Sequence, residues 1–159
     1  MKHLRTPRMD RCIGCQCCVL ACARLVHKLH SWTTAGIHIR SSGGLTTGFE
    51  ADVCVACEPA PCAQTCPTAA LTQRKGGGVI VRHELCLRCG ECAGVCPVKA
   101  IQMEQDSGLP YLCVHCGQCA PFCPYGCIEF TDDADRDAPD DAIPVPSVRI
   151  RKESGHAPN

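Results

Sequence analysis

Apolar residues along this chain come in short stretches bounded by glycine, proline and polar residues, and this pattern predicts short strands. Three of the stretches each follow a Cys-Pro pair, and we expect a strand in each, at Ala70–Gln73, Ile101–Glu104 and Cys127–Thr131. Val79-Ile80-Val81 is expected to pair with the first of these strands across the Gly76-Gly77-Gly78 turn. Regular secondary structure is therefore expected to be sparse.

The stretch Ala23–Val53 is interpreted as an insert between the first cysteines and the rest of the chain. Ile37-His38-Ile39 and Phe49-Glu50-Ala51 are expected to form a hairpin within it, with turn residues in Ser41–Gly44. The folded domain is thus expected to cover residues 1–131, with 23–53 as its insert.

The pattern changes after Phe130. Asp132–Asp141 is acidic and interrupted by proline, and Ile143–Asn159 has no clear period. Segments of this kind bury too little apolar surface to fold alone. The tail 132–159 is therefore expected to be disordered or to lie on a partner surface.

Composition shows that ordinary side chains cannot fill the interior. The 159 residues include only three Phe, two Tyr and one Trp, but 18 Cys. Large apolar side chains normally supply most of a core. Another component is therefore expected to occupy the space inside this chain.

Sixteen of the 18 cysteines fall into four groups that repeat along the chain. Three groups share the spacing C-x2-C-x2-C-x3-C, and the second widens one gap to four residues. The groups are Cys12, Cys15, Cys18 and Cys22; Cys54, Cys57, Cys62 and Cys66; Cys86, Cys89, Cys92 and Cys96; and Cys113, Cys116, Cys119 and Cys123. One short helix is expected per group, starting near the third cysteine and carrying the fourth.

The repeat extends past the four cysteines of each group. The alignment of the repeats predicts the role of the two cysteines that lie outside the groups. Proline follows the fourth cysteine in groups two, three and four, whereas Ala23 follows Cys22 in the first group. Cys127 aligns with Ala70 and Ala100 of the sister units, and Cys17 aligns with Glu91 and Gln118. Both are therefore predicted not to be ligands, with Cys127 a small buried side chain beside a metal centre.

The spacing predicts four [4Fe–4S] clusters. Runs of this kind hold cubane clusters in bacterial two-cluster ferredoxins, where the fourth cysteine of each run ligates the other cluster. Zinc is disfavoured because structural zinc sites use two separated pairs of ligands. Disulfides are disfavoured because the start of the chain, residues 1–8, shows no apolar stretch of an export signal. Loss of one cluster remains an alternative, with the first group as the weak site.

Charge and hydropathy limit the partners. The formal net charge is zero, but each oxidised cluster with its four thiolates adds about −2. Nucleic acid is therefore not expected as a partner. No stretch reaches the length of a membrane span, and a cytoplasmic location is expected.

No catalytic site is expected in this chain. Gly76-Gly77-Gly78 is a turn and not a phosphate-binding loop. His27, His30 and His38 lie in the insert, where solvated histidines are commoner than metal ligands. His115 lies inside the fourth group, where it either donates to a cluster sulfur and tunes its potential or is exposed.

The stretch Asp10–Phe130 resembles the four-cluster iron–sulfur subunits of molybdenum and tungsten oxidoreductases. The resemblance depends on the widened second motif, Cys54 to Thr68, and on the entry Asp10-Arg11-Cys12-Ile13-Gly14-Cys15. Because the chain is short and its fourth group is uninterrupted, it is most similar to the small subunit of tungsten aldehyde oxidoreductases and to that of class II benzoyl-CoA reductase.

The resemblance implies a small, loop-rich α+β fold of two ferredoxin-like halves. It also implies that the outer groups exchange their fourth cysteines with each other, and the inner groups likewise. The implied ligand sets are Cys12, Cys15, Cys18 and Cys123; Cys113, Cys116, Cys119 and Cys22; Cys54, Cys57, Cys62 and Cys96; and Cys86, Cys89, Cys92 and Cys66. Exchange between sequential groups remains an alternative.

The expected function is electron transfer without catalysis. The resemblance implies a large tungsten or molybdenum pterin subunit that oxidises aldehydes, and a flavin subunit that reduces NAD. The alternatives are an electron-transfer subunit of a hydrogenase or formate-lyase complex and a free polyferredoxin. Copies stacked end to end would extend the path for electron transfer. In such a stack the acidic tail would contact the basic start of the chain at Lys2, Arg5, Arg8 and Arg11.

Overall fold

The computed structural model describes residues 2–43 and 48–132. The described chain is small and loop-rich, with short helices and short strands. Its elements are β1 (Lys2–Arg5), α1 (Cys17–Leu25), β2 (Ile37–Ser41), β3 (Phe49–Val53), α2 (Pro61–Gln64), β4 (Leu71–Gln73), β5 (Val79–Val81), α3 (Glu91–Gly94), β6 (Gln102–Met103), β7 (Pro110–Tyr111) and β8 (Glu129–Asp132). Single 3-10 turns lie at Met9–Arg11, Trp32–Thr34, His83–Leu85 and Ala120–Phe122.

The strands form antiparallel pairs, β1 with β8, β2 with β3, β4 with β5, and β6 with β7. The three strands expected after the Cys-Pro pairs are confirmed, although each begins one or two residues later than expected. The β2–β3 hairpin is also confirmed and runs from the Ile37–Val53 pair to the Ser41–Phe49 pair. Gly44 of its expected turn and nearly all of the tail lie outside the described residues.

The predicted helix start near the third cysteine is confirmed in the first three groups, but the prediction that the helix carries the fourth cysteine is wrong for the last three. Only α1 carries the fourth cysteine of its group, whereas α2 and α3 end before Cys66 and Cys96. The fourth group has a 3-10 turn in place of an α-helix. Proline disfavours the helical conformation in the residue before it, so a fourth cysteine that precedes proline leaves the helix. Because Ala23 follows Cys22, α1 continues to Leu25.

The β1–β8 pair joins the two ends of the described chain, and the sequence pattern did not predict β1. Leu4 faces Phe130 across this pair and is buried. Arg8 is also buried, in contrast to the expectation that it belongs to a basic surface for stacking. Its Nε donates to the carbonyl oxygen of Gly126 at 3.0 Å, and its Nη2 forms an ion pair with Glu129. Arg8 is therefore engaged within its own chain.

Two clusters of buried residues form the interior, and cysteines are members of both. The first core packs Leu4, Val19, Ile37 and Ile128 around cysteines of the first and fourth groups. The second core packs Leu71, Val79, Ile101 and Leu112 around cysteines of the second and third groups. The thiols therefore occupy positions that large apolar residues would fill in an ordinary domain.

Within residues 2–43 and 48–132, no helix has the length and apolar character needed to cross a membrane.

Candidate metal centres

A local backbone geometry recurs at the first cysteine of every group. The residue two positions later has a positive φ and donates its backbone N–H to the Sγ of that cysteine. The donors are Gly14 to Cys12 at 3.5 Å, Ala56 to Cys54 at 3.4 Å, Arg88 to Cys86 at 3.3 Å, and His115 to Cys113 at 3.4 Å. Three of these donors are not glycine, and a left-handed conformation costs such residues energy. The left-handed backbone conformation turns an amide group toward the sulfur of the first cysteine in each group.

The fourth cysteine of each group that precedes proline has its own recurring donor. Ala100 donates its N–H to the Sγ of Cys96 at 3.3 Å, and Cys127 donates to that of Cys123 at 3.2 Å. The backbone amides of Leu71, Thr68 and Ala70 lower the pKa of the Cys66 thiol. The residue before each donor again has a positive φ, at Ala69, Lys99 and Gly126. The Cys-Pro step therefore leads into a turn that aims an amide at the thiol.

Cys22 receives its donor from elsewhere because α1 continues past it. The N–H of Val26, four residues on, is committed to the carbonyl oxygen of Cys22 in the helix. The N–H of Gly36 donates to the Sγ of Cys22 instead, at 3.2 Å. A Cβ on Gly36 would lie 2.5 Å from the carbonyl oxygen of Leu112, so the position needs glycine. No local sequence pattern indicates this contact.

The structure brings thiols of different groups together. Three small cavities are each lined by three cysteines of one group and the fourth cysteine of another, and Cys127 also lines the third. The sets are Cys54, Cys57, Cys62 and Cys96; Cys86, Cys89, Cys92 and Cys66; and Cys12, Cys15, Cys18 and Cys123. Cys22 lies among the fourth group, close enough to affect the pKa of the Cys113 and Cys119 thiols. The outer groups thus meet each other, and so do the inner groups.

The buried thiols resist deprotonation when no metal is present. Burial and then the nearby Cys119 and Cys123 thiols raise the pKa of Cys18 to about 12. Burial and then the Cys22 and Cys116 thiols raise the pKa of Cys119 to about 12. A thiolate is the form that binds metal, so loading such a site releases protons. A cationic metal–sulfide group bound among the thiols would therefore offset the electrostatic cost of deprotonating them.

The chemistry of the donor sets fits iron–sulfur clusters. Each set supplies four thiolates, which are the ligands of [4Fe–4S] clusters. The amide groups aimed at sulfur would stabilise the negative charge of such a cluster, and hydrogen bonds of this kind help to set its reduction potential. When bound, the clusters would supply one-electron transfer, while the chain holds the thiolates and directs its amide dipoles toward them.

The two cysteines predicted not to be ligands lie beside the same thiol set. Cys127 is buried, as expected, and burial and then the nearby Cys123 thiol raise its pKa. Cys17 is exposed at the start of α1, and the neighbouring Cys15 thiol raises its pKa. Their assignment as non-ligands stays a prediction.

The His115 side chain is buried, and its pKa is lowered. The alternative that it is exposed is wrong, because only 5% of its surface is accessible. Its Nδ1 accepts the backbone N–H of Leu4 at 3.0 Å, so Nε2 carries the ring hydrogen. Burial, followed by the nearby His3 and Arg74, lowers the pKa of His115 to about 4. Donation from this ring to a cluster sulfur stays a prediction.

The histidines of the insert make contacts typical of structural side chains. Nε2 of His38 lies 2.8 Å from the carbonyl oxygen of Ala35, and His27 packs edge-on against Tyr111. His30 lies 3.2 Å from Arg24 on the surface. In the described part of the chain, no group of three or more His, Cys, Asp or Glu side chains is arranged around a single metal ion.

Comparison with known protein families gives three matches that together include all four groups. Residues 54–107 match the LdpA Fe-S cluster-binding domain, and residues 9–25 and 110–129 each match a 4Fe-4S binding domain. The chain therefore contains ferredoxin-type domains that bind multiple [4Fe–4S] clusters.

Curated relatives carry electron-transfer names. The polyferredoxin-like subunit of aliphatic sulfonate oxidoreductase from Pyrococcus furiosus is 37% identical over 107 residues, covering 66% of this chain and 59% of the relative. The thiosulfate reductase electron transfer subunit of Salmonella typhi is 34% identical over 104 residues, covering 62% and 54%. Hydrogenase-4 component A of Escherichia coli is 41% identical over 93 residues, covering 57% and 42%.

The chain spans about half the length of these relatives. The family matches at residues 9–25, 54–107 and 110–129 include the four cysteine groups, at which the amide–sulfur geometry recurs. The chain is thus similar to the non-catalytic iron–sulfur electron-transfer subunits of oxidoreductase complexes.

Proposed function

We propose that this chain is a non-catalytic subunit that relays electrons through four [4Fe–4S] clusters held in two ferredoxin-like halves. The observation that carries the proposal is the convergence of three thiols from one group with the fourth thiol of another. The proposed ligand sets are Cys12, Cys15, Cys18 and Cys123; Cys113, Cys116, Cys119 and Cys22; Cys54, Cys57, Cys62 and Cys96; and Cys86, Cys89, Cys92 and Cys66.

Proximity between the thiol sets supports a relay. Cys18 and Cys119 belong to different sets, yet each thiol is within electrostatic range of the other set. The Cys113 thiol is within electrostatic range of Cys54, which belongs to another set. Cys54 itself packs against the first core, whereas Cys62 and Cys96 of its proposed set lie in the second core. Electron transfer would therefore occur over short distances, both within the first core and between the two cores.

The proposed partner is a large catalytic subunit with a tungsten or molybdenum pterin cofactor. The resemblance of the second cysteine motif supports this partner, and the names of the sulfonate and thiosulfate relatives support an oxidoreductase complex. The finer proposal is that the large subunit oxidises aldehydes and that a flavin subunit passes the electrons to NAD. The whole assembly is proposed to be cytoplasmic.

A second candidate is a subunit of a hydrogenase-type complex, favoured by the 41% identity to hydrogenase-4 component A. Anaerobic affinity purification of the native complex distinguishes the two. Co-purification of a pterin-containing subunit with aldehyde-dependent NAD reduction supports the aldehyde proposal. Co-purification of a nickel–iron subunit supports the second candidate, and recovery of the chain alone contradicts both in favour of a free polyferredoxin.

The cluster content is tested on the anaerobically purified chain. We expect about sixteen iron and about sixteen sulfide per chain, because each cluster contains four of each. Reduced samples should show electron paramagnetic resonance signals of interacting [4Fe–4S]+ clusters. An iron content far below this number, or zinc in place of iron, would contradict the proposal.

A further inference from the structure

Arg74 connects the cysteine loops of the second and fourth groups, which belong to different proposed ligand sets. It follows β4 directly, and its Nη1 donates to the carbonyl oxygen of Val114 at 2.9 Å. Val114 lies between Cys113 and Cys116 in the fourth group. The Nε of Arg74 donates to the carbonyl oxygen of Gly77 at 3.2 Å. One guanidinium therefore links the fourth cysteine group to the glycine turn after β4.

The glycine turn itself packs against the second cysteine group. The N–H of Gly78 donates to the carbonyl oxygen of Cys57 at 3.4 Å. A Cβ on Gly77 would lie 2.5 Å from the carbonyl oxygen of Ala56, so only glycine allows this approach. The Arg74 guanidinium is thereby held beside the Cys54–Cys57 loop, and its charge reaches the thiol of Cys54.

Arg74 is partly buried, and its charge has no carboxylate partner in the described part of the chain. Its Nη2 is inaccessible and has no hydrogen-bond partner there. The ring of His115 lies against the same glycine as Nη2 and is neutral at physiological pH, since its pKa is lowered to about 4 by burial and by its neighbours His3 and Arg74. Withdrawing part of an unpaired cation from water is costly. A cluster with its four thiolates carries about −2 and would supply the missing counter-charge.

Building on the four-cluster function proposed above, we propose that Arg74 is a positioning residue for electron transfer between the two cores. Its guanidinium holds the Cys54 and Cys113 loops in register, and its charge favours reduction of the clusters bound there. Reduction adds one negative charge to a cluster, and a nearby cation that is partly shielded from water stabilises that charge more strongly than a fully solvated one does. Loss of the cation would therefore make electron transfer between the clusters of the two cores less favourable.

Three variants test the proposal. Arg74→Gln removes the charge and keeps an amide donor. Arg74→Lys keeps the charge and loses the fork of donors. Lys75→Gln removes one charge from the next position, where the side chain is exposed, and is the matched control. Each variant is purified anaerobically, assayed for iron and sulfide, and titrated with dithionite while the [4Fe–4S]+ signals are followed by electron paramagnetic resonance.

Arg74→Gln is expected to keep its iron and to lower the midpoint potential of at least one cluster. The expected size is about a tenfold drop in the ratio of reduced to oxidised cluster at fixed potential, which is about 59 mV for one electron. Arg74→Lys should retain most of the wild-type potential. Lys75→Gln should leave every midpoint unchanged.

Two results would overturn the proposal. One is wild-type potentials in iron-replete Arg74→Gln, and the other is the same shift in Lys75→Gln. If Arg74→Gln fails to hold iron, Arg74→Lys decides, because lowered potentials in an iron-replete lysine variant contradict the role of charge and wild-type potentials support it. Wild-type protein with far fewer than about sixteen irons would instead refute the four-cluster function, independently of Arg74.

Discussion

The first and second cores enclose cysteine groups of nearly the same spacing in different ways. The second core is close to symmetric, with the four-residue helices α2 and α3 and the buried Ala70 and Ala100 at equivalent positions. The first core is asymmetric, since α1 has nine residues and the fourth group has only a 3-10 turn. It is also the core that the two ends of the described chain close, through the β1–β8 pair.

The comparison shows what the cysteine spacing controls and what it leaves free. In both cores the first cysteine of each group meets the amide of the residue two positions later. The fourth cysteine meets an amide in both cores too, but Cys22 takes it from Gly36 and not from its own group. The spacing therefore fixes the thiols and the nearest amide, while the surrounding elements can differ as long as each thiol finds a donor.

The largest effect is expected from replacing a proposed ligand. Cys89→Ser removes an exposed thiol from the third group and should cost about four of about sixteen irons. Cys17→Ser is the matched control, because Cys17 is also exposed but is predicted not to be a ligand. Iron and sulfide analysis of both anaerobic proteins measures the effect. Iron loss from Cys17→Ser would show that the register of the first group is wrong.

The next effect concerns the closure of the first core by its chain ends. Arg8→Met leaves the Glu129 carboxylate and the Gly126 carbonyl without the guanidinium that contacts both. Removing one partner of a buried pair costs about 3 kcal/mol, so the urea midpoint of anaerobic holoprotein should fall clearly. Arg40→Met is the control, since Arg40 is exposed and its pairing with Glu50 and Asp52 is solvated. Equal falls in both variants would contradict the importance of the closure.

A smaller effect is expected at the amide donor that is particular to the first core. In Gly36→Ala the new methyl would meet the backbone of Leu112 and Cys113 at 2.5 to 2.7 Å. Overpacking of this kind costs roughly 1–3 kcal/mol, and it also displaces the amide from Cys22. Gly94→Ala is the control, because nothing lies within 4 Å of its Cβ and alanine favours a helix. Thermal unfolding of the two holoproteins should show a lower midpoint for the first alone.

The cysteine groups, the strands after Cys-Pro and the β2–β3 hairpin are predictable from the sequence because each has a local signal. The fourth cysteines of three groups leave the predicted helix because proline follows them. Strand β1 is not predictable, because four residues with one buried leucine have no recognisable pattern. Gly36 and Arg74 were not singled out either, since their roles depend on contacts with Cys22 and Val114, which lie 14 and 40 residues away.

The smallest effect is expected where the two cores differ by a single buried atom. Cys127 occupies the position of Ala70 and Ala100, and its amide already makes the same contact with a fourth-cysteine thiol. Cys127→Ala should therefore keep about sixteen irons and change the unfolding free energy by less than about 1 kcal/mol, well below the cost of larger core truncations. Iron analysis and urea unfolding of the anaerobic protein provide the measurement. Because Cys127 also lines the cavity that contains Cys12, Cys15, Cys18 and Cys123, loss of about four irons would mean that the first core needs a fifth thiol at this cluster, and the equivalence of the two cores would fail there.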